Sequence, residues 1–142
     1  MTRDRGTAAL QQMLAAEHAA VYAYEAVAGR MAVGSARGRL AVECFAVHRD
    51  RRDRLVAVLR SRAVQPVAAR PGYLLPKPVG GRAAAAAVSR KVEDRCAVVY
   101  ATVVAATTGA DRRLGIDALV DAATRGMAWG SPATAFPGVG PT

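Results

Sequence analysis

At 142 residues with a formal charge of +9, the chain has room for one domain with one core and little else. Its hydrophobic fraction is 52%, largely alanine and valine, with aromatics at only 5%, a balance that argues against a sheet protein and for closely packed helices. The charge invites a nucleic-acid reading, but the arginines are scattered, with only Arg49 to Arg54 forming a dense run.

The first helix is expected over 7–33, with Thr7 as its cap and Gly34-Ser35 as its stop. Its seam reads Leu10, Leu14, Glu17, Val21, Tyr24, Ala28, Met31, the alternating three- and four-residue step of a bundle helix. Glu17 is the wrong residue for such a seam. The second helix is expected over 36–63, with Leu40, Cys44, Phe45, His48, Arg52, Leu55 and Leu59 facing inward. Again charged or titratable residues, His48 and Arg52, fall mid-helix on the apolar face. The very short connection makes these two helices antiparallel neighbours.

From Val64 to Gly81 the chain carries Pro66, Pro71, Pro76 and Pro78, which forbid a helix. A helix of some 25 residues is about 37 Å long, and such an extended connection reaches roughly 55 Å. It can therefore cross the whole bundle. The third helix is expected over 82–106, with Glu93, Cys96 and Tyr100 along its faces. The fourth is expected over 111–129, with Asp117, Asp121 and Arg125 edging a stripe of Leu114, Ala118, Leu119 and Ala122. The tail 130–142 is rich in proline and glycine, and Phe136 is its candidate for packing back on the bundle.

The fold class that follows is all-α, a single four-helix bundle over residues 1–142 with one long proline-rich crossover between helices 2 and 3, the ferritin-like connection. Cys44 and Cys96 have no CxxC spacing, which excludes a zinc knuckle and leaves two reduced, buried thiols. The first residues lack an apolar signal core, and no stretch reads as a transmembrane helix, so no membrane partner and a cytoplasmic location are expected.

Glu17, His48, Glu93 and Asp121 each lie about ten to thirteen residues into their helices, so an up-down bundle brings them to one height. Buried charges must be paired, metal-bound or neutralised. Di-iron bundles use a lone Glu on two helices and Glu-x-x-His on the other two. Here Phe45 stands three before His48, and Thr124 stands three after Asp121, so at least two ligands of that set are missing. A mononuclear metal site on Glu17, His48, Glu93 and Asp121, with iron or another transition metal and oxidoreductase chemistry, is the alternative. The favoured reading has no cofactor: a metal-free ionic core of Glu17, His48, Arg52, Glu93, Asp121, Arg125 and Tyr100, in a non-catalytic protein that forms a homodimer. Tyr22 and Tyr24 are further hydroxyl donors, and His18 is a boundary residue. A third reading has Arg49, Arg51 and Arg54 contacting RNA or DNA.

Several stretches carry a family resemblance. They run from Met13 to Tyr24 around Glu17-His18, from His48 to Asp53, Leu75-Pro76-Lys77-Pro78-Val79, Val92-Glu93-Asp94, and Ala135-Phe136-Pro137-Gly138. In order and spacing the chain resembles the ferritin-like family catalogued as domain of unknown function 4439. The resemblance implies a ferritin-like bundle of the kind found in small bacterial proteins, with no established activity.

Overall fold

The computed structural model describes residues 2–75 and 79–140, so Pro76, Lys77 and Pro78 of the family-like motif lie outside the described residues. It is all-helical, with α1 Thr2–Ala28, α2 Ala36–Ser61, α3 Arg82–Ala106 and α4 Gly109–Ala128. The four helices make a bundle around one core, in which Leu10, Leu14, Tyr24, Leu55, Leu59, Tyr100 and Trp129 are fully buried. The predicted α1 seam is buried except at Val21 and Ala28, which are half-buried.

Helix ends follow local chemistry. The Ser35 side chain caps α2 by accepting from the Gly38 amide at 3.0 Å. Thr107 closes α3, its hydroxyl donating to the Val103 carbonyl at 2.6 Å. Five expected boundaries shift, two of them slightly: α2 ends at Ser61 rather than Ala63, and α4 at Ala128 rather than Trp129. α1 begins at Thr2 rather than Thr7, with Asp4 in its first turn where an anion suits the helix dipole. It stops at Ala28, not Val33, because past Gly29 the chain tightens into short turns that fold Met31 back into the core and end at Gly34 with φ 77°. α4 begins two residues early, at Gly109, whose φ of 58° turns the chain sharply out of α3.

The crossover lies along α1. Gln11 donates to the Gln65 carbonyl at 2.7 Å and accepts from the Val67 amide at 2.8 Å, while Tyr73 packs on Tyr22 with ring centroids 5.5 Å apart. Contacts thus pass from the start of α1 toward its end, carrying the chain back to the end of the bundle where α2 began. The consequence is a parallel α2–α3 pair, marked by the Arg37 guanidinium reaching the Arg82 carbonyl at one end and Arg51 reaching Tyr100 further along. α1 packs against α2 and α3, and α3 packs against α4. The tail crosses α3 at Gly138, but Phe136 is 73% exposed and does not pack back as expected, since the turn closed by the Val139 amide on the Phe136 carbonyl sets Gly138, not Phe136, against α3.

Gly115 sets the α3–α4 approach, because a Cβ there would sit 3.0 Å from Val103 and 3.1 Å from Val104. Gly115→Leu should therefore cost about 1–3 kcal/mol of stability by overpacking, read as a lowered urea midpoint with an unchanged slope. An unchanged midpoint would show that the two helices are not held this closely.

Candidate functional site

Halfway along the bundle, residues whose types do not belong in an apolar seam meet in the interior. Glu17, His48, Tyr24 and Tyr100 are fully buried, and Glu93 is 1% exposed. His48 of α2 lies between two carboxylates. Its Nδ1 is 2.7 Å from Glu17 Oε2, and its Nε2 is 3.3 Å from Glu93 Oε1. A carboxylate only accepts, so both ring nitrogens are placed to donate, and only the imidazolium can do so. Tyr24 stacks on this ring, centroids 5.3 Å apart at 21°.

Each carboxylate has a tyrosine of its own. The Tyr100 hydroxyl donates to Glu17 Oε1, and the Tyr24 hydroxyl donates to Glu93 Oε1 at 2.6 Å. Two arginines close the network on the α4 side. Arg125 Nε donates to Glu93 Oε1 at 3.2 Å, and its Nη1 is 3.2 Å from Asp121 Oδ2. Arg51 lies over the Tyr100 ring at 5.3 Å, donates to its hydroxyl at 3.3 Å, and stands 3.8 Å from Glu17 Oε1. It also donates to Asp121 Oδ2 at 2.8 Å. With His48 protonated, the carboxylates of Glu17, Glu93 and Asp121 are matched by His48, Arg51 and Arg125, and the cluster is neutral as a whole.

Burial alone would push His48 toward its neutral form, but hydrogen bonds and charge from Glu17 and Glu93 outweigh it, and its pKa is raised above the ordinary 6.5. Burial would likewise raise Glu93, yet the His48 bond, then Arg125 and Tyr24, hold its carboxyl below the ordinary 4.5. Burial, helped by the neighbouring carboxylates, drives both tyrosine hydroxyls well above 10.0. Glu93 therefore stays ionised and the tyrosines stay donors. All three donors to Glu93 converge on Oε1; Oε2 is buried with no partner among the described residues, as is Arg125 Nη2.

Arg52, expected in the core, is not there. It pairs with Asp53 at the surface at 2.7 Å, and Arg51 takes the interior place. Residues three and four beyond His48 both share its face, but α3 and α4 lie to the Arg51 side, so Arg52 falls on the outer flank. The same geometry removes Arg51 from the exposed basic run that sequence suggested for nucleic acid; its side chain is only 10% exposed. Asp121 sits at the rim, 52% exposed, rather than in the interior. His18 meets the Val67 carbonyl at 3.1 Å, outside the cluster.

A family model described as a domain of unknown function, DUF4439, matches residues 9–141. The chain belongs to the DUF4439 family. A crystal structure of a conserved hypothetical protein, rv2844, from Mycobacterium tuberculosis is similar, with 33% sequence identity and a TM-score of 0.83 over 89% of this chain and 95% of that one. No curated protein matches significantly. The DUF4439 match spans every residue of the cluster, from Glu17 to Arg125.

The titration directions fix how stability depends on pH. The contribution of His48, whose folded pKa is raised, is fully present below 6.5 and fades as pH climbs through the folded value. That of Glu93, whose folded pKa is lowered, is fully present above 4.5 and fades as pH falls through the folded value. Stability should plateau between those values and decline from 6.5 toward 9.0, where loss from the buried thiols begins. His48→Gln should cost about 3–5 kcal/mol on the plateau by stranding the carboxylates and abolish the decline between them. Urea melts across pH check this; an unaltered alkaline limb in the variant would contradict it.

Proposed function

We propose that this protein is a non-catalytic ferritin-like bundle whose interior is a metal-free ion network and whose role is to hold a rigid helical surface for interaction. One observation carries the reading: both nitrogens of His48 are turned to carboxylates, at 2.7 and 3.3 Å, with Arg51 and Arg125 on those same carboxylates. A metal-ligating histidine must aim a lone pair at the ion, and its ligands must tolerate a dication. Here the imidazole has no nitrogen to spare, and guanidiniums stand within 3.8 Å of Glu17 and 3.2 Å of Glu93, where they would repel one. The residues present do not fit the di-iron pattern either, with Phe45 and Thr124 where its Glu and His would be.

Other features suit this reading. The hydroxyls of the buried tyrosines are committed to Glu17 and Glu93, leaving neither as a free acid or base. Cys44 and Cys96 are free, buried thiols whose pKa values burial pushes up, which suits an unreactive role in a reducing, cytoplasmic setting. A homodimer would cover exposed apolar side chains such as Val98 and Val120, 54% and 60% exposed.

Elemental analysis decides between this reading and a metalloprotein. Protein purified without chelator, and again after anaerobic incubation with ferrous iron and desalting, should carry well under one equivalent of any transition metal. A stoichiometric metal that disappears in Glu17→Gln would overturn the proposal.

A further inference from the structure

The long crossover, by making α2 and α3 parallel, brings both of their N-termini to one end of the bundle, beside the α1–α2 connection. That end collects Arg30 from the connection, Arg37 and Arg39 from the first turn of α2, and Arg82 from the first residue of α3, all exposed. No acidic residue occurs in segments 26–42, 79–92 or 126–140, which build this end; the nearest acids, Glu25 and Glu43, stand about a turn deeper. The opposite end also bears exposed arginines, Arg5, Arg60, Arg112 and Arg113, but there acids are mixed with them: Asp111 clamps Arg62 at 2.7 Å, and the first turns of α1 and α4 carry Asp4 and Asp111.

The placement runs against local electrostatics. A helix N-terminus carries partial positive charge and favours anions, yet the first turns of α2 and α3 have no acid and hold arginines instead. α3 adds a second deficit, since its Gly81 cap supplies no side-chain acceptor. Breaches of a local rule without compensation inside the fold mark places where a partner supplies what is missing. Two of the guanidiniums lean on backbone carbonyls, Arg37 on Arg82 at 3.5 Å and Arg39 on Gly34, which orients them without neutralising them.

We infer that this arginine-bearing end is a docking face for the phosphate backbone of a nucleic acid, read without regard to sequence. Guanidiniums match phosphate geometry. These four stand on three segments, the α1–α2 connection, α2 and α3, and α2 and α3 are not packed directly on each other, so the spread suits several phosphates along a strand better than one small anion. The face is distinct from the mid-α2 basic run, whose Arg51 is turned inward and whose Arg49 and Arg54 are interleaved with Asp50 and Asp53. The inference goes beyond the ion-network reading and stands independently of the metal content.

The test is anisotropy of a labelled random-sequence duplex with the full chain across a salt series. Four phosphate contacts imply an affinity that falls about 150-fold as salt rises from roughly 50 to 200 mM. Changing Arg30, Arg37, Arg39 and Arg82 together to Gln should abolish binding while the melting temperature holds or rises, because unfavourable first-turn charges are removed. Arg82→Gln alone should lower the salt slope by about one, and Arg49→Gln with Arg54→Gln should leave it unchanged. No binding of the unmodified chain at low salt, an unaltered slope in the quadruple variant, or equal affinity for polyglutamate or anionic vesicles would each overturn the inference.

Discussion

The imidazolium of His48, held between Glu17 and Glu93, is the contact on which the interior depends. Two carboxylates cannot remain ionised in an apolar interior unless something positive reaches them. The ring does so from the middle, touching one carboxylate with each nitrogen at 2.7 and 3.3 Å, while Arg51 and Arg125 reach in from the α4 side. Each tyrosine adds a neutral donor, Tyr100 to Glu17 Oε1 and Tyr24 to Glu93 Oε1. Such a cluster contributes little net stability compared with apolar packing, but it tolerates few alternatives. A shift of one helix by a turn would leave a buried charge unmatched, so the network specifies register.

That arrangement is possible because of the crossover. If α3 followed α2 through a short turn, it would run antiparallel to it, and Glu93 and Tyr100 would meet α2 in reverse order. Instead the chain travels along α1, held by Gln11 against Gln65 and Val67, and α3 starts beside the start of α2. Tyr24 and Tyr100 then serve opposite ends of the same cluster from α1 and α3. The same topology gathers Arg37, Arg39 and Arg82 at one end, so the interior network and the basic face share one cause.

Much of this was legible in the sequence because the fold is built from long periodic helices. A glutamate in the seam between Leu14 and Tyr24, and a histidine between Cys44 and Leu55, stand out against an apolar stripe, and the four prolines point to the crossover. The choice between Arg51 and Arg52 was not legible. Adjacent residues on a helix differ by about 100°, both lie near the His48 face, and only the position of α3 and α4 selects one. The end of α1 was hidden for a similar reason: Met31 keeps the seam's spacing but reaches the core from a turn, not from a helix. The stacking of Tyr24 on His48 carries no sequence signal at all, since an aromatic residue in a seam reads as ordinary filler.

The protonation of His48 is the centre of the account, and nitrogen NMR of the histidine ring reads it directly. At pH 7, with His18 removed by substitution to leave one histidine signal, both ring nitrogens should show imidazolium shifts, and each should couple to a proton. A single protonated nitrogen, with the other bearing a free lone pair, would mean that one carboxylate is held by something else, and the description of a self-neutralised interior would fail.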